Sequence, residues 1–233
     1  MKVVPSTIAG ILIHGPDSPE FSASLASILG RAPKDLLRPA LPYSVIVENA
    51  SDRTVSLLGV RFDLLGPKGK QYSVVHYADT LRNPSKSDIK PGSRRFVCAE
   101  PDYTALVIHG GVVANTRGQM NLDNLRKMLG AKASVDCVAF SDGEFIGPDS
   151  QGAFDRFARE RESELALVGQ VLEMESGPLD KIEALLVEAV QDFDHRSRRH
   201  AARKLLEALE LAGRDELFER ARSYPGRIAL WKS

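Results

Sequence analysis

The spacing of apolar residues changes once along this chain, near Gly147-Pro148, and that change constrains the fold more than any other feature. Before it, apolar residues alternate in short runs bounded by turn residues, the pattern of strands with one covered face. After it, they recur at three- and four-residue steps, the pattern of amphipathic helices. The expected class is α+β, with a β-sandwich domain over residues 1–148 and an α-helical region over 149–233.

The strand half reads as a series of short elements. "YSVIVEN" (43–49), "TVSLLGVRFDLL" (54–65), "QYSVVHY" (71–77), "RRFVCAE" (94–100), "TALVIHGGVV" (104–113), "ASVDCVAF" (133–140) and "EFI" (144–146) are expected strands, after "KVV" and "GILIHG" near the start. "GPKGK" and Ser141-Asp142-Gly143 close hairpins. "NLDNLRKML" (121–129) reads as a short helix, capped by Asn121 and ended by Gly130. Seven or eight strands suffice for two packed antiparallel sheets.

In the helical half, Phe154, Phe157, Arg161, Leu165, Val168 and Leu172 mark a first helix. Gly177-Pro178 ends it and starts a second, carried by Leu179, Ile182, Leu186, Ala189 and Phe193. Ala201, Leu205, Leu209 and Ala212 extend the period until Gly213, and "RDELFERARSY" forms a last short helix.

The tetrapeptide GPDS occurs at Gly15–Ser18 and at Gly147–Ser150, each time between an apolar strand end and a helical pattern. The flanks differ, so it is no internal duplication. Gly permits the turn, Pro fixes φ, and Asp or Ser accepts hydrogen bonds from the first helical turn. The same strand-to-helix entry is expected twice.

Composition excludes several classes. The 31 basic and 31 acidic residues cancel, so net charge selects no partner. No apolar run approaches the roughly 18 residues of a membrane span, and the N-terminus reads as a strand of the mature protein rather than a signal peptide. The expected location is the cytoplasm. Cys98 and Cys137 both fall in strands, as two small buried hydrophobes or as a disulfide across facing strands. Two cysteines without a second pair at ligand spacing give no zinc site.

Motifs with catalytic mechanics are missing: there is no HExxH, GxSxG, Walker loop or GxGxxG. His195 and His200 are five apart, off the i, i+4 spacing of a metal pair. His76 or His109 with Asp79 or Ser73 would be needed for a nucleophilic site. Asp136, Asp142, Glu144 and Asp149 crowd the last hairpin, but without the EF-hand order of ligands they read as turn and cap residues. No metal and no cofactor is expected. The densest charge is "HRSRRHAARK" (195–204), where Arg196, Arg199 and Arg203 share one helical face suited to an anionic partner. Acidic residues flank it on both sides, which suits a salt-bridged surface instead. Leu185 and Leu206 widen the apolar face of 179–212 beyond one seam and are the candidate partner-docking residues.

"YSVIVENASDRTVSLLGVRFDLL", "IKPGSRRFV" and "VDCVAFSDGEFIGPD" together resemble the immunoglobulin-like β-sandwich domains of uncharacterised bacterial proteins, over about residues 41–149. The resemblance implies a sandwich and carries no catalytic residue. The core Trp packed on a disulfide that marks antibody domains is missing, since the single Trp is Trp231.

The expected function is therefore non-enzymatic: a protein–protein interaction or scaffold module, with an unidentified protein partner or self-association. Binding of nucleic acid or an anionic ligand through 195–204 is the alternative, and a hydrolase with a non-standard site ranks third.

Overall fold

The computed structural model describes residues 1–29, 34–79, 88–108 and 116–227. The fold is mixed α and β, in two compact units, Met1–Asp149 and Ser150–Ser233.

Among its described residues the first unit holds eight strands: β1 (Lys2–Val3), β2 (Ile11–His14), β3 (Ser44–Asn49), β4 (Val55–Leu65), β5 (Gln71–Asp79), β6 (Arg94–Cys98), β7 (Gly130–Phe140) and β8 (Phe145–Ile146). They make two open sheets. One has the order β1-β7-β4-β5 with β8 also on β7, and the other β2-β3-β6. All pairings are antiparallel except β1 with β7, which is parallel and so departs from the all-antiparallel expectation.

One apolar core takes side chains from both sheets: Ile11, Val45 and Val47 from the smaller, Leu58, Val60, Phe62, Leu64, Val135 and Val138 from the larger. The alternation in β4 accounts for this, since even positions enter the core while Arg61 and Asp63 point away. The 3-10 turn Pro67–Gly69 closes the β4–β5 hairpin, with Lys68 and Gly69 both at positive φ. In β7 the alternation breaks. Val60 pairs Val135 while Gly59 pairs Cys137, so Asp136 is an extra residue in a β-bulge.

Local expectations fail in two neighbouring stretches of this unit. The stretch 104–113 is not a strand: Pro101–Ile108 form helix α3, and 109–113, with His109, lie outside the described residues. The reason is at its start. Pro101 opens the helix, where its missing N–H costs nothing, Asp102 follows in the first turn, and Glu100 before it supplies a carboxylate to the free amides. The helix expected at 121–129 is α4, Arg117–Leu125, capped by Thr116 rather than Asn121: Thr116 Oγ1 accepts from Gln119 N at 3.2 Å. Gly130 then opens β7 instead of closing a helix.

The remaining helices of this unit are α1 (Pro19–Leu29) and α2 (Lys34–Leu37). The first GPDS caps α1 as expected, Ser18 Oγ accepting from Phe21 N at 3.1 Å. The second does not repeat the device. Gly147 (φ 138) and Asp149 (φ 46) make a turn, and Asp149 N donates to Asp136 O at 3.2 Å. The residue before the next helix is Gly152, left-handed and without a side-chain cap bond.

The second unit consists of α5 (Ala153–Glu173), α6 (Leu179–Val190) and α7 (Arg196–Arg227), the last broken at Gly213. Its core is Leu167, Val168 and Val171, then Ile182, Leu186 and Ala189, then Ala201, Leu205, Leu217 and Phe218. Arg214 Nη2 donates to the Gly177 carbonyl at 2.8 Å, tying the α5–α6 turn to the second half of α7. Phe193 and Ala212 do not continue the apolar seam. Phe193 lies in the α6–α7 turn and is 78% exposed, and Ala212 is exposed just before the break. Among the described residues no helix is long and apolar enough to cross a membrane.

Candidate functional site

A cleft of about 350 Å³ opens between α3, α4 and the β4–β5 hairpin. Leu64, Val74, Leu125 and Met128 give it an apolar lining, and Glu100, Asp102, Arg117, Asn121 and Asn124 give it polar groups. Its walls are held by specific contacts. Tyr103 Oη donates to the Leu36 carbonyl at 2.6 Å, anchoring α3 on α2. Gly118 lets α4 approach α3 closely, because a Cβ there would fall 2.7 Å from Tyr103 N.

Glu100 is the unusual member. It is only 7% exposed, and burial pushes its carboxyl pKa above the ordinary range, against the hydrogen bonds from the Asn121 side chain and from the backbone amides of Asp102 and Tyr103. Its Oε1 is closed off from solvent and has no hydrogen-bond partner. A buried carboxylate oxygen in that state is costly until a donor reaches it.

His76, on β5, faces the same cleft. Its Nε2 donates to the Ala99 carbonyl at 2.9 Å, since a carbonyl can only accept, and its ring lies 5.8 Å from that of Phe62. Burial lowers its pKa below the usual value, outweighing the Ala99 bond and the charge of Asp102. The lowered pKa favours the neutral ring near pH 7.

The nucleophilic arrangement considered from sequence does not assemble. Ser73 and His76 are three apart on β5 and so face opposite sides of the sheet. Ser73 Oγ donates to Asp63 Oδ1 at 2.5 Å, and Arg61 Nε donates to the same oxygen at 2.7 Å. Partial burial raises the Asp63 pKa, but these bonds outweigh it and hold the carboxyl below its usual range. His109 and the Asp79 side chain lie outside the described residues.

The acidic hairpin residues separate into two groups. Asp142 and Glu144 both hold Arg53. Asp136, Cys137 and Asp149 bring ligand-type atoms within 4.8 Å of one another, and each has other interactions as well. Cys98 and Cys137 form no disulfide and are buried, in different sheets, and burial pushes the Cys98 thiol up to about 11.

Of the basic face, Arg199 stacks on Phe193 at 5.2 Å, Arg203 is exposed, and Arg196 opens α7 with its side chain outside the described ones. Asp192 takes much of the neighbouring charge, pairing with His195 at 2.9 Å and standing 4.0 Å from Arg198. Leu185 and Leu206 are half-buried against the helical core.

Sequence reasoning passed over Glu100, Asp102 and Arg117. The available signal was "EPDY", an acid before Pro and a second acid after it, which starts a helix. No protein-family model, curated protein or solved structure matches the chain.

Proposed function

We propose that this chain is a non-catalytic interaction module, built on an immunoglobulin-like β-sandwich and followed by a helical docking unit. The pairing pattern supports the sandwich. In the immunoglobulin arrangement the second strand pairs with the fifth, and in a second sheet the sixth strand pairs with the third on one side and the seventh on the other. Taking β2, β3, β4, β6, β7 and β8 as A, B, C, E, F and G, the pairs β2–β3, β3–β6, β4–β7 and β7–β8 follow that pattern. In this reading β5 takes the place of the strand that extends the C edge.

One observation carries the functional reading: β5 runs for nine residues, and its outer edge has no ladder partner among the described residues. The other edges are short or charged, β2 having four residues and β6 carrying Arg94 and Arg95. β5 has no Pro, no Lys or Arg, and an unbroken register with β4. Such an edge accepts an added strand, so its proper occupant is an extended peptide segment of a partner. On the helical unit, Phe193 and Leu211 are the apolar side chains most open to a second contact.

Proline at positions 72 and 73 tests this. In an antiparallel pair successive N–H groups point to opposite edges, so one proline breaks the β4 ladder and the other blocks only the outer edge. Proteins captured from the native cell extract by the full chain should be lost with the outer-edge proline, in a variant that stays folded. Unchanged capture by that variant would remove β5 as the docking strand.

A further inference from the structure

We propose that the cleft between α3, α4 and the β4–β5 hairpin binds an alkylammonium group, with Glu100 as its counter-ion and the aliphatic stem lying on Leu64, Val74, Leu125 and Met128. The proposal deepens the interaction-module reading by naming what the cleft beside β5 takes.

Charge selects the ligand's sign. The lining contributes the carboxylates of Glu100 and Asp102 against the single guanidinium of Arg117, and His76 stays neutral with its Nε2–H held by the Ala99 carbonyl. Glu100 is nine-tenths buried and lines the cleft; its Oε1 has no protein donor but is closed to solvent, so an ammonium in the cleft meets it only after the carboxyl group turns about its last torsion. An ammonium brings three N–H donors and a full charge to such a carboxylate, where a hydroxyl brings one donor and none. The apolar residues select the body: four hydrophobic side chains border a space of about 350 Å³, ample for a linear four-carbon stem. Asn121 lines the same cleft and lowers the Glu100 pKa against the effect of burial, so it already favours the ionised carboxyl.

The same chemistry comes from a lysine side chain of a partner peptide or from a free small amine. The test separates them with n-butylammonium, n-butanol, a blocked Gly-Lys-Gly peptide and its Nζ-acetylated form, each titrated into the isotopically labelled full chain. Amide shifts are followed at Asp102, Tyr103, Asn121 and Asn124. A ligand of five heavy atoms is expected to bind with Kd of about 1–10 mM.

Butylammonium should bind, and butanol and the acetylated peptide should not. Glu100→Gln, which keeps shape and an acceptor for the α3 amides, should weaken binding about tenfold, and Asp102→Asn about threefold. Should Glu100→Gln fail to fold, Asp102→Asn decides alone. Binding of the lysyl peptide as well assigns the cleft to a partner's lysine. Binding of the free amine alone keeps the ammonium site and withdraws the cleft from the partner-protein reading. Equal shifts with butanol, no shifts with butylammonium, or full binding by both variants would overturn the proposal.

Discussion

Gly59 stands directly across from Cys137 on the neighbouring strand, with room for no side chain between them. A Cβ at position 59 would fall 2.6 Å from Cys137 Sγ and 3.1 Å from the Tyr77 ring. Gly59→Ala should therefore cost about 1–3 kcal/mol through overpacking. In a Cys137→Ala background most of that cost should vanish, giving a coupling of about 1 kcal/mol or more by urea unfolding of the four proteins. An undiminished cost would place the limit at Tyr77 instead of the thiol.

The two strands on either side of this pair were legible because local signals agreed. The second half of β4 alternates from Val60 to Leu64, Asp142-Gly143 sits in a β7–β8 turn, and "GPKGK" gave the β4–β5 hairpin. The bulge at Asp136 was not legible, since it depends on how β7 must shift against β4. α3 was missed for a different reason. "TALVI" has the apolar run of a strand, and its helical state is decided by Glu100-Pro101-Asp102 ahead of it and by Tyr103 reaching Leu36. The cleft went with it, because its polar groups meet only when α3 and α4 fold back beside β5. Periodicity gave the helical seam through Ile182, Leu186 and Leu205, but it could not see that the chain turns at Phe193.

Arg53 closes the last hairpin from outside. Its Nε and Nη2 donate to the two oxygens of Asp142 at 2.8 and 2.6 Å, it also reaches Glu144, and its guanidinium lies 3.8 Å above the Phe140 ring. The Arg53 hydrogen bonds hold the Asp142 carboxyl below its ordinary pKa of 3.8. A depressed carboxyl contributes stability above its unfolded pKa and loses it as pH falls through the folded value. Arg53→Met should cost about 1 kcal/mol at neutral pH and low salt, or roughly 2–4 °C in Tm. The gap from wild type should narrow below pH 3.8 and with added salt. A gap constant in both would leave only the Phe140 contact as its source.

The two thiols should be silent in the native protein. With its pKa at about 11, Cys98 has about one molecule in a thousand as thiolate at pH 8. Both cysteines are buried, so iodoacetamide should label neither at a useful rate until denaturant is added. Rapid native labelling, located by peptide mapping, would show that one sheet opens locally.

The apolar rows of the helical unit should respond differently to charge. Leu206 is half-buried against the helical core, and Leu206→Asp should cost about 2–4 kcal/mol by helical melting. Leu211 is 79% exposed, and Leu211→Asp should change stability by no more than about 0.5 kcal/mol. Sedimentation gives the counter-case. A wild-type oligomer that Leu206→Asp turns into a folded monomer would put Leu206 in an interface.

The Glu100 carboxyl should make the first unit less stable as pH rises. Burial raises its pKa above the ordinary 4.5, so the folded chain holds this proton more tightly than the unfolded chain does. The resulting stability is fully present below pH 4.5 and is lost as pH climbs through the folded value. His76 acts in the other direction, because its lowered pKa makes the fold lose stability as pH falls below 6.5. Glu100→Gln removes only the first contribution, and its carbonyl still accepts from the α3 amides. The Tm of Glu100→Gln minus that of wild type should therefore increase from pH 4.5 upward and level off once Glu100 is ionised in both states, whereas His76→Gln should alter the profile only on the acid side of 6.5. If the Glu100→Gln difference stays flat or shrinks with pH, water reaches the carboxylate in solution. The cleft would then hold no desolvated counter-ion for an ammonium to meet.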